Sequence, residues 1–342
     1  MLALLLLTPA TDTLDAKKKK QRKQKEDPYA EVVWPPPPAK ARIKLEAVIQ
    51  GRADVEVTSR FKKKLLRVSG QNPYDTLKKP FAVAFDLQGR ILVSDTGNSA
   101  LIRFDRNDRR MDVLGTQGSI KLKSPMGIGV APEGMIYVAD LGLAQVVGFD
   151  SEGKIVAAIG RPGELENPTD VAVSPDGKRL FVADSKAHRI VVFDRESGEK
   201  LSTFGTQGEG EGEFAFPTSL TFGPEGNLFV VDQINCRVQL FDSEGRYLDQ
   251  FGERGSGFGQ FARPKDVVVD EVGFVYVTDA QFDNFQIYDV DFTLLTYIGS
   301  NGVGPGQFYG ASGIDVRGDE IAVVDQLGAR VQVLKFTVPK DE

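Results

Sequence analysis

Six short stretches of one pattern recur along the chain: "ILVSD" (91–95), "IYVAD" (136–140), "LFVAD" (180–184), "LFVVD" (228–232), "VYVTD" (275–279) and "IAVVD" (321–325). Their aspartates, Asp95, Asp140, Asp184, Asp232, Asp279 and Asp325, stand 45, 44, 48, 47 and 46 residues apart. A sustained period of this length belongs to propellers, solenoids and arrays, whose units bury their faces only against one another. The third unit shows what one unit contains. "TDVAVS" (169–174), "RLFVAD" (179–184), "RIVVFD" (189–194) and "EKLSTFG" (199–205) are β-branched and aromatic runs separated by Gly, Pro and Asp turns. These are strand and hairpin signals, and no helical stripe interrupts them.

Four-stranded units repeated about an axis make a β-propeller, which leaves only short protected edges. The last unit stops after its third strand, "RVQVLKF" (330–336), while an unmatched strand, "RIKLEAVIQG" (42–51), precedes the first. The expected fold is therefore all-β: a six-bladed propeller of four-stranded blades, its blades beginning at residue 80. A closing strand at 42–50 completes the last blade and joins the two ends of the chain. The order Pro, "DVAVS", Asp-Gly, "LFVAD", Arg-Ile, "VFD", Gly, "FG" and a Gly-rich link resembles the NHL-repeat family over about 80–342. That resemblance implies the propeller fold and, for most such propellers, a role as an interaction platform, with a few enzymes among them.

One link, "GERGSGFGQFARP" (252–264), looks like a phosphate-binding glycine loop, its glycines followed by Arg263 and Lys265. It is not alone: "GTQGEGEGEFAFP" (205–217) and "GSNGVGPGQFYG" (299–310) occupy the same place in other units. A dinucleotide fingerprint joins a strand to a helix and needs G-x-G-x-x-G, whereas Gln260 stands in the place of the third glycine. The stretches read as blade-to-blade links, permitted by Gly and pinned by Phe214, Phe261 and Phe308. No cofactor is expected.

The six repeated aspartates each end a strand before a tight turn, the position in which Asp bonds its own turn amides. The links and the turns after these aspartates emerge on one loop-rich face, and binding residues concentrate on loops held by a rigid scaffold. Candidate binding residues there are Asn98, His188, Arg189, Asn235, Arg237, Asp283, Asn284 and Arg330, the arginines also being placed to pair with neighbouring blades. At the axis, Asp170, Asp266 and Asp315 would make the channel acidic, but without further convergent ligands they do not define a metal site.

With one histidine, His188, and one cysteine, Cys236, the chain lacks the ligands for a multi-histidine zinc site and has no internal disulfide. Net charge is −6, and residues 1–40 carry eight basic and five acidic side chains, leaving −9 on 41–342. An acidic body argues against nucleic acid, whose binding rests on phosphate neutralisation. Residues 1–40 divide into an apolar signal-like start, the basic run "KKKKQRKQK" (17–25) and the spacer "WPPPPAK" (34–40), ahead of the propeller at 41–342. The start is too short to span a bilayer; it fits an export signal, hence an extracytoplasmic or membrane-associated protein, with a cytoplasmic tail as the alternative. An amphipathic helix is expected at about 57–69, either packed on the propeller or docking a partner or membrane surface, and the 17–25 run reads as a solvated tether or a contact for anionic lipid.

The function expected is a monomeric, non-enzymatic scaffold binding a protein or peptide through the loop-rich face. The alternatives are a hydrolase- or lyase-like propeller with a divalent cation at the axial mouth, and an RNA-binding propeller.

Overall fold

Each repeat folds as a four-stranded antiparallel meander in the computed structural model, which describes residues 27–56 and 72–337. Blade 1 comprises β3–β6 (Pro80–Phe85, Ile91–Asp95, Ala100–Asp105, Arg110–Leu114) and blade 2 β7–β10 (Pro125–Val130, Ile136–Asp140, Gln145–Phe149, Ile155–Ile159). Blade 3 is β11–β14 (Pro168–Val173, Arg179–Asp184, Arg189–Asp194, Lys200–Phe204), and blade 4 is β15–β18 (Pro217–Phe222, Leu228–Asp232, Arg237–Phe241, Tyr247–Phe251). Blade 5 is β19–β22 (Pro264–Val269, Val275–Asp279, Asn284–Tyr288, Leu294–Ile298). Blade 6 holds β23–β25 (Ala311–Arg317, Glu320–Asp325, Arg330–Phe336) and, from the other end of the chain, β2 (Ile43–Ile49) and β1 (Val33–Trp34).

The first strand of each blade faces the axis and packs on the first strands of both neighbours. The second and third strands are almost wholly buried, because blades cover both of their faces; every residue of "LFVVD" and "RVQLF" in blade 4 is buried. Six apolar clusters result, one in each gap between adjacent blades. The outermost strand reaches solvent: Leu248, Asp249 and Gln250 of β18 are exposed.

Ring closure follows the expected route. β2 pairs antiparallel with β25, from Ile43 opposite Phe336 to Ile49 opposite Val331. The sheet extends one strand further than expected, since Val33 and Trp34 pair with Lys44 and Ile43. Sheet structure therefore begins ahead of the prolines, and the stretch expected as a spacer forms the connection inside a hairpin. The reason is local: Val32 and Trp34 lie against Gly306 of the last link and join the apolar cluster between blades 5 and 6. A short helix, α1 (Arg52–Glu56), follows β2 and buries Ala53 and Val55. The amphipathic helix expected at 57–69, the basic run and the signal-like start fall outside the described residues. Among the described residues no helix is long and apolar enough to cross a membrane.

Candidate functional site

The loop-rich face is held rigid by the repeated aspartates, all six fully buried. Each carboxylate ties two pieces of chain together. Asp95 accepts Lys78 and Lys79 N–H from the incoming link, at 2.7 and 3.0 Å, and Gly97 N–H of its own turn at 2.9 Å. Asp279 does the same for Ala262, Arg263 and Gln281, at 2.8, 3.0 and 2.8 Å. Several charge-favoured acceptor bonds per carboxylate compensate its removal from water.

The residues four past these aspartates, Ser99, Ala144, His188, Cys236, Asp283 and Ala329, all adopt a left-handed backbone, with φ from 49° to 57°. None is glycine, so nothing in the sequence marks this shared conformation. It turns each chain sharply into the third strand.

This geometry buries four of the eight expected binding residues, Asn98, Arg237, Asp283 and Arg330. Arg237 Nε donates to Asp232 Oδ2 at 2.9 Å, and its Nη2 donates to the carbonyls of Gly210 and Glu213 at 2.8 and 3.0 Å. Arg330 spans Asp325 and the carbonyls of Val303, Gly304 and Gln307 in the same way. Arg189 pairs with Asp184 at 2.8 Å and reaches the Glu164 carbonyl. These arginines fasten the link entering their own blade instead of presenting charge to a partner. Asn98 and Asn235 brace the same aspartates and donate to the carbonyls of Thr76 and Gly208. Asn284 holds a buried Oδ1 with no partner. His188 accepts the Phe216 N–H at Nδ1 (3.2 Å) and meets the Phe216 ring edge-to-face. Among the eight candidates, His188, Arg189, Asn235 and Asn284 keep partial exposure, and Asp283, itself buried, lines a groove on the loop-rich face.

The Gly-rich links supply their own stand-in for a phosphate. Gln260 Oε1 accepts the Gly257 N–H at 2.7 Å, and Glu213 and Gln307 do likewise for Gly210 and Gly304, at 2.9 and 3.1 Å. The amides that a phosphate would need are occupied by the side chain where a fingerprint would have its third glycine. Behind each loop Phe214, Phe261 or Phe308 is fully buried. At Gly252, with φ 85°, a Cβ would overlap the Phe261 ring, which makes glycine obligatory there.

At the axis Asp170, Asp266 and Asp315 reach across blade boundaries to edge amides of the next inner strand. Asp170 Oδ2 accepts Leu220 N–H at 2.9 Å, Asp266 Oδ2 accepts Ile314 N–H at 2.8 Å, and Asp315 Oδ2 accepts Phe85 N–H at 2.6 Å. Their other oxygens accept the N–H of Val171, Val267 and Val316. Burial pushes all three carboxyls up, Asp266 to about 6 and Asp315 to about 7; Asp170 also feels the Asp266 charge and lies well above the usual range. Asp266 and Asp315 keep some surface on the channel but sit deep among protein atoms. Among the described residues no group of three or more His, Cys, Asp or Glu side chains is placed to hold a metal ion.

Two cavities flank this pinch. A funnel of about 550 Å³ widens from Asp170 and Asp266 to Leu87, Pro132 and Arg317, opening on the face opposite the loop-rich one, where short turns join the first and second strands. On the loop-rich face a groove of about 460 Å³ lies between blades 5 and 6, lined by Arg263, Lys265, Asp283, Tyr309 and Leu327 among others. Burial, helped by the Arg263 charge, lowers the Lys265 ammonium to about 8, with no carboxylate offsetting the shift. Asp283 is spent within the groove wall, accepting Asn301 Nδ2 at 2.5 Å and Gly310 N–H at 2.6 Å.

Comparison with known proteins agrees with the architecture. The family description "NHL repeat" matches residues 165–193, and "6-bladed beta-propeller" matches 223–297. Peptidyl-glycine alpha-amidating monooxygenase of Mus musculus is 35% identical over 82 residues, which are 22% of this chain and 8% of that protein. The chain thus matches less than a tenth of that relative's length. Among solved structures, a virginiamycin B lyase from Staphylococcus aureus superposes with a TM-score of 0.56 at 15% identity, over 75% of this chain and 80% of the lyase. A gluconolactonase from Xanthomonas campestris gives 0.56 at 17% identity, over 76% and 86%. At these identities the likeness is one of fold alone.

Proposed function

The chain is a six-bladed β-propeller of NHL-type repeats, and from that premise we propose that it is an interaction scaffold seating a protein partner on its loop-rich face. The observation that carries this reading is a set of apolar side chains displayed on pinned backbone. Phe216, Ile234, Tyr309 and Leu327 are 43, 50, 50 and 58% exposed, on links or turns of that face. Backbone bonds fix two of these pairs of loops, Ile234 N–H to the Ala215 carbonyl and Leu327 N–H to the Tyr309 carbonyl, both at 3.0 Å. Apolar groups held in place before binding lose little conformational entropy when a partner covers them.

Crosslinked co-purification from native cells tests this, with Ile234→Asp and Leu327→Asp on the loop-rich face and Val272→Asp, also exposed, on the short-turn face. A partner kept by the last variant and lost by the first two supports the reading. The reverse pattern would move the interface to the other face, and no partner in any sample would remove the scaffold role. Export or membrane attachment belongs to the same proposal, and fractionation of those cells tests it.

A second reading, a propeller enzyme with a divalent cation in the axial funnel, draws on the cavity beside Asp170, Asp266 and Asp315. Against it, their oxygens already accept backbone amides and their raised pKa values weaken them as ligands. Stoichiometric metal in the purified protein, lost in Asp266→Asn, would favour the enzyme.

A further inference from the structure

We infer that the groove between blades 5 and 6 receives an acidic side chain of the partner, with an adjoining apolar residue set against Leu327 and Tyr309. This rests on the scaffold reading and names the chemistry at one of its contacts.

Two cations line the groove, Arg263 and Lys265, against one carboxylate, Asp283. Asp283 is bound to Asn301 and Gly310, so it holds neither of them. Lys265 is largely removed from water, and the one charge acting strongly on it is the repulsive Arg263. A desolvated ammonium with a like charge beside it gains from an arriving carboxylate more than an exposed lysine would, because little water remains to be displaced.

The size of the charge selects the anion. A net of one positive charge, with Asp283 in the wall, matches a carboxylate; a phosphate dianion would meet that acid and the exposed Leu327 side chain. The apolar rim in turn suits the residue beside the acid. Gln281 and Gln326 also line the groove and offer amides to a peptide backbone. The glycines of the link are therefore not the anion site; the two basic residues after them, Arg263 and Lys265, are.

The test uses the full chain and three probes: acetyl-Leu-Glu-amide, acetyl-Leu-Gln-amide and inorganic phosphate, each titrated while the backbone amides of Gly310 and Gln281 are followed by NMR. The Glu peptide is expected to bind about tenfold tighter than the Gln peptide, with the preference lost in Arg263→Gln and in Lys265→Met. The ionisable groups around Lys265 are Arg263 at the end of the preceding link, Asp283 and Tyr309 across the groove, and Asp266 and Asp170 on the axial side. Above the range in which the peptide carboxylate and Asp266 titrate, affinity for the Glu peptide should hold from about pH 7 to 8 and fall beyond it, as the free lysine loses its proton. Equal binding of the two peptides, or no shift at either amide, would overturn the inference. Phosphate binding tighter than the Glu peptide would overturn it too, making the groove a free-anion site. Arg263 is exposed, so its variant keeps the test decisive even where Lys265→Met fails to fold. A partner still captured when the Glu preference is absent separates failure of this inference from failure of the scaffold reading.

Discussion

Arg237 Nε lies 2.9 Å from Asp232 Oδ2, the arginine side chain 9% exposed and the aspartate not at all. The pair fastens the link between blades 3 and 4 to the second and third strands of blade 4, since the same guanidinium also holds the Gly210 and Glu213 carbonyls. Breaking a buried pair from one side leaves an uncompensated charge and typically costs about 3–5 kcal/mol. Arg237→Met should lower stability by that order in a urea titration. Arg189→Met, whose side chain is 25% exposed beside Asp184, should cost about 1 kcal/mol. Equal losses would show that burial does not govern these pairs.

The axial carboxyls give stability a pH dependence of defined sign. Asp266 and Asp315 titrate near 6 and near 7 in the folded protein, above the value of about 3.9 for an unfolded aspartate. The folded state then holds more protons than the unfolded state between those values, so stability falls as pH rises. The contribution is complete below about pH 4 and lost by about pH 7. Thermal melts should fall across that window in the wild type and fall less in Asp315→Asn. A wild-type profile that rises from pH 4 to 7 would contradict the assignment.

Gly127 of β7 packs against Asp170 of the neighbouring inner strand β11, where a Cβ would overlap Asp170 Oδ1 and lie 2.6 Å from its Cα. Gly127→Ala must displace the inner strand of blade 3 or push Asp170 off Leu220. Overpacking of this kind costs about 1–3 kcal/mol or more. Gly163→Ala, where a Cβ meets nothing but φ is 88°, serves as a control carrying backbone strain alone. Gly127 is not among the left-handed glycines, so its loss should reflect the clash and the Gly163 loss the strain.

Closure of the ring predicts a step in a truncation series. Removing residues 1–35 takes away β1 up to Trp34 and uncovers Gly306, but leaves β2 paired with β25. That protein should stay cooperatively folded with a lower melting temperature. Removing residues 1–50 deletes β2 and bares the long edge of β25, leaving an unpaired strand prone to intermolecular pairing. Broad melts and aggregation are expected; a sharp melt would mean that the other five blades close without it.

Much of this protein is settled by sequence alone, because the information is local and repeated. The 44–48-residue period, strand alternation and turn chemistry define a blade within one unit, and the leftover strand at 42–51 announces how the ring closes. The buried aromatic of each link, Phe214, Phe261 or Phe308, is legible too, since a Gly-rich stretch with one conserved-spacing Phe leaves it nowhere else to pack. What the fold alone decided is which polar groups remain free. Arg237 and Lys265 are both basic residues on the loop-rich side, and their neighbours in sequence do not tell them apart. Arg237 spends its donors because blade packing brings Asp232, Gly210 and Glu213 to it. Among the described residues Lys265 gains no such partner, and its groove is assembled from Arg263, Asp283, Tyr309 and Leu327, which lie on separate loops of two blades. The axial funnel is decided in the same way, by six inner strands at once. Local sequence sets the strands, but desolvation and charge depend on what the other blades bring alongside.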